Sequence, residues 1–338
     1  MSMRDLSDID IIVLTYKRDD LLRDCLDSLW RTCGGEPHVI VVDNSPSSAT
    51  RELVTGYVGA FYLESFGDPG FAGGNNRAIP HCTRPYTLLL NNDTVIHSRA
   101  SIETLAAFLD DHPACAAAQG SMVLTHGEGR LGGTGTFLTP FGFLYSPGFN
   151  MPDTEEFHHP FPVFSTIGAF MIFRRSILPA VGGFLFHDHF KSYYEETDFC
   201  HRVWLSGNEV WFVPTEPIDH LCGATMGLFP RREMMRQFIR NSWFSLRTCL
   251  GPWHRFRLLS CYAFVMAGHA ALHLLRGDWR TARDDLGLYG TFLSDRAAVR
   301  ETRRRLAPFR KRSDSDLFRR VVRTPTLRYF LRSVRANS

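Results

Sequence analysis

Two spacings of apolar residues alternate along this chain of 338 residues. Residues 9–14 form a continuous apolar run, broken only by Asp10, that ends at Thr15-Tyr16. From residue 19 to residue 30 the apolar positions Leu22, Leu26, Leu29 and Trp30 recur at helical spacing. A second apolar run, 39–42, stops at the turn-forming cluster Asp43-Asn44-Ser45-Pro46. Strand, helix and strand in such short succession predict a βαβ unit and a parallel sheet. The pattern then repeats: a short strand at 61–63, a glycine-rich entry into a helix over 70–79, and a buried strand at 86–90 that runs into Asn91-Asn92-Asp93. A helix is predicted over 101–109, with Ser101 as its cap and Glu103 in its first turn. The α/β pattern extends over residues 8–225.

Beyond these segments the pattern changes twice. Residues 126–162 are rich in Gly, Pro, Phe and His and lose regular periodicity, as long functional loops do. Within them GEGRLGGTG (127–135) looks like a dinucleotide fingerprint, but it follows no strand and opens no helix, so it is set aside. From 226 to 338 the chain reads as a helical, basic extension. Residues 231–247 suit an amphipathic helix. Residues 258–275 carry no formal charge but include Ser260, His269 and His273. A membrane-crossing helix needs about 20 predominantly apolar residues, and two histidines favour an interfacial or buried helix instead. Arg255 and Arg257 before it, with Arg276 and Arg280 after it, suit lipid headgroups.

Composition adds a charge asymmetry. The chain is 44% hydrophobic and 22% charged, an ordinary globular balance, with a net charge of +3. Residues 301–338 hold twelve Arg or Lys against three acids, so that segment sums to about +9 and the remainder to about −6. A basic tail on an acidic body predicts an anionic partner. No nucleic-acid motif accompanies it, which favours an anionic membrane surface and argues against nucleic acid. The eight cysteines include no C-x-x-C pair, and the acid-rich N-terminus has no apolar run, so a reducing cytoplasm is expected.

Open parallel sheets bind ligands at the carboxyl ends of their strands, and Thr15, Asp43 and Asp93 are predicted at that edge. Asp43 reads either as a turn residue or as a nucleotide contact. The glycines of Gly70-Phe-Ala-Gly-Gly-Asn-Asn permit close backbone approach. Asp93 can hold Mg²⁺ or Mn²⁺, hard ions that prefer oxygen ligands and bridge diphosphates. Glu195, Glu196 and Asp198 crowd three acids into four positions. Such crowding calls for a cation, a proton or a substrate to compensate. With a helix beginning near Asp198, Glu195 and Asp198 would share a face and Glu196 would point elsewhere. His220, beyond the apolar run 210–213, is a candidate only in company.

Taken in order, these segments resemble the family-2 glycosyltransferases of GT-A fold. The resemblance rests on Val13-Leu-Thr-Tyr-Lys-Arg18, Val41-Val-Asp-Asn-Ser45, Gly70 to Asn76, Leu89-Leu-Asn-Asn-Asp93, Glu195 to Arg202, and His220. It implies a Rossmann-like mixed sheet and inverting transfer of a sugar from a nucleotide-diphosphate donor. Glu196 would be the general base, ionised at the ordinary carboxyl pKa of about 4.3. Glu195 and Asp198 would position the acceptor or a loop. A divalent metal (Mg²⁺ or Mn²⁺) would sit on Asp93 with His220 and Asn91. The donor would meet Thr15, Tyr16, Arg18, Asp43, Gly73, Asn75, Asn76, Asn92 and Arg202.

Two departures stand out. The usual D-x-D reads Asn91-Asn92-Asp93, leaving one charge for the metal, and Glu196 stands where many relatives carry Asp. Among branches, the chain is most similar to bacterial enzymes that add rhamnose or other deoxysugars to cell-envelope glycans. That implies a glycan or lipid-linked acceptor and a peripheral position on the inner face of the cytoplasmic membrane; an oligomer is left open. Two rivals are a sugar-phosphate nucleotidyltransferase, whose glycine-rich basic loop is missing from 12–20, and a nucleotide-sugar binding protein with weakened catalysis.

Overall fold

The computed structural model describes residues 6–34, 37–126, 129–223 and 231–325. Four parallel strands form the heart of the main sheet: β1 (Ile9–Thr15), β2 (His38–Asp43), β3 (Ala60–Glu64) and β4 (Tyr86–Asn91). Helices α1 (Asp19–Cys33), α2 (Ser48–Thr55) and α3 (Gly70–Ala78) connect them. A two-residue strand β5 (Thr94–Val95) and helix α4 (Ala100–Asp111) follow β4. Ser101 lies inside α4 rather than capping it; the hydroxyl of Ser98 accepts from the Ala100 N–H instead, at 3.2 Å.

The sheet then departs from the parallel pattern. Strands β6 (Cys115–Gln119) and β7 (Met122–Leu124) come next, then the short hairpin β8 (Phe137–Leu138) and β9 (Leu144–Tyr145), then β10 (Phe161–Pro162). β11 (Phe170–Arg174) enters antiparallel between β4 and β6. Helix α5 (Glu195–Leu205) precedes β12 (Glu209–Phe212) and β13 (Ile218–His220). The eight strands of the main sheet run β10-β12-β6-β11-β4-β1-β2-β3, a mixed sheet. A small second sheet, β5-β13-β7, lies beyond the carboxyl end of β4.

The apolar runs of β1, β2 and β4 are buried on both faces, which explains why they read as continuous rather than alternating, whereas the edge strand β3 is only partly buried. Ile11, Val13, Leu88 and Leu90 pack with α1 and α4 on one side; Ile12, Leu89, Met171 and Phe173 pack on the other. Asp10 is fully buried in β1, yet its carboxylate is occupied by the N–H groups of Thr83 (2.6 Å) and Arg84 (2.8 Å) and by His38.

The C-terminal helices are α6 (Arg231–Cys249), α7 (Pro252–Leu275), α8 (Trp279–Ser294), α9 (Arg296–Leu306) and α10 (Asp314–Val321). Trp243, Phe244, Leu258, Tyr262 and Leu317 join the same apolar cluster as Phe199 and Trp204 of α5, so these helices complete the core on that face of the sheet. Part of the basic segment packs against the fold. Arg303 donates to the carbonyls of Arg247 and Leu250 at the end of α6 (2.8 and 2.9 Å), where the helix dipole favours a cation. Arg312 donates to Asn208 and stacks on Trp204, and Arg320 pairs with Glu209. Arg328, Arg332 and Arg335, and the junction at 225, lie outside the described residues, as do two positions of the 127–135 stretch.

Candidate active site

A cavity of about 290 Å³ opens at the carboxyl ends of β1, β2 and β4. Thr15 and Tyr16 lie in its wall as β1 ends, and Asn91, Asn92 and Asp93 as β4 ends. Parallel register sets these ends side by side: Thr15 pairs with Asp43, and Leu14 with Asn91. The opposite wall is Gly168, Ser192, Tyr193, Glu195 and Glu196. His220 completes it, because β13 pairs antiparallel with β5 and sets His220 against Thr94. His220 lies past β12, where the sequence placed it, and is the last residue of the short strand β13. Its Nε2 lies 3.4 Å from Asp93 Oδ1, and both side chains are nearly buried.

The donor set at this point fits a divalent cation that brings its other ligands with the substrate. Asp93 Oδ1 is a buried atom without a hydrogen-bond partner, and such an atom carries a desolvation cost that a cation or a donor would relieve; His220 turns Nε2 toward it, and the other ring nitrogen, Nδ1, is buried and unpartnered too. Asn91 offers an amide oxygen beside them in the same wall. No group of three or more His, Cys, Asp or Glu suited to a metal occurs among the described residues. A cation here would rest on one carboxylate, with an imidazole beside it and the remaining positions left to phosphate oxygens and water.

Glu195 and Glu196 stand at the very start of α5, which begins three residues earlier than the sequence suggested. Both therefore face the cavity, and Glu196 does not point elsewhere. The Glu195 carboxyl is buried with one oxygen unpartnered; burial, and then the charge of Glu196, push its pKa well above the usual range. Burial alone raises Glu196, from 4.5 to about 7. Burial thus holds Glu196 closer to protonation at neutral pH than the fully ionised carboxylate expected from the sequence. Asp198 turns away into the protein. It pairs with Arg202 at 2.8 Å, and both side chains are almost fully buried.

That pair is a structural clasp. The Arg202 guanidinium also donates to the carbonyls of Val181 (2.8 Å), Phe184 (3.1 Å) and Leu185 (2.5 Å), tying down the loop ahead of α5. Arg202 does not reach the cleft, so the expected donor contact is not available to it. Asp43 is also committed: its carboxylate accepts from Ser45 N–H (2.8 Å) and the Tyr62 hydroxyl (2.9 Å), and its neighbour Asn44, which sequence reasoning passed over, lines the cavity instead. Arg18 pairs with Asp20 at 2.7 Å outside the cavity wall.

The glycine-rich segment serves the opposite wall. Gly70 has φ +73°, and a Cβ there would sit 2.1 Å from the Lys191 carbonyl oxygen. Phe71 N–H donates to Ser192 Oγ (3.2 Å), and the Asn76 amide both donates to Phe186 O (2.8 Å) and accepts from Phe186 N–H (2.9 Å). Asn75 donates to Phe71 O at 2.9 Å within its own helix. Gly73 abuts Pro69 and does not line the cavity, whereas Gly74 lets α3 close on Leu14. Asn75, Asn76 and Gly73 therefore position the wall rather than line it. Asn92 lines it and donates to Thr15 Oγ1 at 3.1 Å.

Directly before the two glutamates, Tyr193 (φ +69°) and Tyr194 (φ +74°) are both left-handed. Two such non-glycine residues in a row cost of order 1–3 kcal/mol each and persist only when their surroundings hold them. Asn241 of α6 does so, its amide donating to Ser192 O (3.0 Å) and Tyr193 O (2.6 Å).

Residues 10–182 match the family described as Glycosyl transferase family 2. The chain belongs to that family. This sets aside the nucleotidyltransferase reading. A curated relative, the low-salt glycan biosynthesis hexosyltransferase Agl10 of Haloferax volcanii, is 28% identical over 203 residues, 59% of this chain. The match spans 62% of that relative's length, short of the whole protein. Among solved structures, TarS 1–349 of S. aureus in complex with UDP superposes with a TM-score of 0.56 at 16% identity, covering 89% of this chain and 88% of that one. The mannosyltransferase PcManGT of Pyrobaculum calidifontis, in complex with GDP-Man and Mn²⁺, gives a TM-score of 0.54 at 16% identity, covering 90% and 86%. At these identities the two likenesses speak for the GT-A fold alone.

Proposed function

We propose that this glycosyltransferase takes a sugar from a nucleotide-diphosphate donor and passes it, with inversion, to an acceptor hydroxyl, Glu196 serving as general base. The observation that carries this reading is the meeting of Asp93, His220 and Glu196 in one cavity at the strand ends, from segments far apart in the chain. Glu196 takes the hydroxyl proton as the oxygen attacks the anomeric carbon; Glu195, kept neutral, can donate a hydrogen bond to a sugar or acceptor oxygen. A divalent metal at Asp93 and His220 would supply charge neutralisation for the leaving diphosphate; PcManGT was solved with Mn²⁺ and GDP-Man. Thr15, Tyr16 and Asn92 line the donor side in this reading.

The test is Glu196→Gln, which keeps shape and removes basicity. Transfer should fall by about 10²–10⁴-fold, while donor affinity, followed by thermal shift across dTDP-rhamnose and UDP- and GDP-hexoses, stays unchanged. Near-normal turnover would end the assignment. The same panel reports the donor sugar.

We also infer that the enzyme works on a lipid-linked glycan acceptor at an anionic membrane, peripheral on the cytoplasmic face. Support comes from α7, whose most apolar stretch has mean hydropathy 1.6 and is only 22% buried. Its inner stripe is Leu258, Tyr262, Met266 and Ala270, while Trp253, Phe264 and Leu275 are exposed at 67, 82 and 87%. A water-facing helix normally carries charge on that side, and an exposed apolar stripe bordered by arginines suits a lipid surface.

A further inference from the structure

The C-terminal helices enclose a second cavity that the transfer chemistry does not use. It measures about 490 Å³, within the roughly 300–1,000 Å³ typical of small-molecule sites. It runs along the seam where α6, α7 and α8 meet, walled by Trp243, Phe256, Leu259, Ala263, Tyr289 and Phe292. Its polar members are Arg255, in the first turn of α7, and Ser260. Trp243 is 4% exposed, and its buried indole N–H has no acceptor in the protein. An acceptor carried in by a ligand would relieve that unmade hydrogen bond. Phe256, by contrast, is largely exposed, so the trough opens to the outside on the same helix whose outer stripe is apolar.

An apolar trough with one guanidinium matches an amphiphile with a hydrocarbon chain and a phosphate head, since guanidinium pairs well with phosphate oxygens. Its place in the fold is informative. Trp243 and Asn241 stand two positions apart on α6 and so project from nearly opposite faces. Asn241 holds the turn that leads into Glu195 and Glu196. One helix diameter, roughly 10–12 Å, separates the trough from the turn beside the transfer site.

We propose that this trough binds the hydrocarbon chain of the acceptor lipid, with the lipid phosphate against Arg255. The proposal rests on the reading of the protein as a transferase with a lipid-linked acceptor, and it names where that acceptor is anchored. The probe is dodecyl phosphate, kept below its micelle concentration and titrated calorimetrically into the full chain. Inorganic phosphate and dodecyl maltoside serve as head-only and chain-only comparisons. Saturable binding of dodecyl phosphate at one site per chain is expected. It should weaken by about tenfold or more in Arg255→Gln, and vanish in Ala263→Phe, which fills the trough.

Ser260→Trp, at an exposed rim position, gives a second block should Ala263→Phe lower the melting temperature. Inorganic phosphate binding as tightly as dodecyl phosphate would make this a plain anion site and overturn the proposal. Unchanged binding in both blocking variants, or dodecyl maltoside binding as well as the phosphate, would overturn it too. Dodecyl phosphate binding in a wild-type chain that turns over no nucleotide sugar would leave the trough standing and count against the transferase reading alone.

Discussion

The pH dependence of turnover tests the candidate base more sharply than its removal does. Burial raises the Glu196 carboxyl from 4.5 to about 7, a preference for the protonated form worth about 3 kcal/mol. A general base works only when ionised. With a pKa near 7, about half the enzyme is competent at pH 7, about nine-tenths at pH 8 and about one-tenth at pH 6. kcat/KM for donor turnover should therefore rise about tenfold from pH 6 to pH 8, and the rise should disappear in Glu196→Gln, leaving a low flat rate. A group whose folded pKa is raised binds its proton more tightly in the folded state. Its contribution to stability is thus complete below about pH 4.5 and is lost as pH climbs toward 7. Glu196→Gln, which cannot charge, should match the parent's melting temperature at pH 4 and exceed it at pH 8. The measurement is stopped nucleotide release in a constant-ionic-strength buffer series, with melting curves on the same samples. An acidic limb centred near pH 4.5, or one that survives in Glu196→Gln, would refute the reasoning.

Three further outcomes follow from the same geometry. Asn241→Ala removes both hydrogen bonds from the left-handed turn at Tyr193 and Tyr194; kcat should fall at least several-fold with little change in donor KM, and the acidic limb should shift, because the turn sets the environment of Glu196. Arg202→Met leaves Asp198 buried and unpaired, which should cost about 3–5 kcal/mol in chemical denaturation; a loss of donor affinity at unchanged stability would restore Arg202 to the donor site. Asp93→Asn removes the carboxylate that lies beside His220, so the Mn²⁺-dependent part of the donor-induced thermal shift should vanish while any metal-independent part remains; an undiminished Mn²⁺ response would move the metal elsewhere.

The strands and the edge they share were legible in the sequence because strands buried on both faces must be continuously apolar, and because polar residues end them at Thr15, Asp43 and Asn91. The antiparallel entry of β11 was not legible, since Phe170–Arg174 is as apolar as its parallel neighbours and direction leaves no trace in composition. Within the site, Asp93, Glu196 and His220 could be named because a carboxylate or imidazole at a strand or helix end is a visible event. The errors have one physical source. Arg202, Asn75 and Asn76 are polar residues in the right segments whose side chains donate to backbone carbonyls, and Asp198 pairs with Arg202, so none of the four faces the cavity. A motif marks that a residue is needed, and the need can be met from either side of the wall.

The wall itself shows how the C-terminal helices bear on the candidate site. The turn before α5 holds two tyrosines in a conformation that the local sequence disfavours, and no residue within the α/β pattern alone supplies all of its restraint. Ala72 and Phe71 grip Lys191 and Ser192 from α3, and Asn241 grips Ser192 and Tyr193 from α6. Asn241 sits in a stretch where sequence shows only an amphipathic helix, so no local signal announces it; the missing support becomes visible only once Tyr193 and Tyr194 are seen to be left-handed. A chain cut after β13 would keep every catalytic candidate and lose one side of the clamp. The strain would then relax by moving the first turn of α5, and with it Glu195 and Glu196.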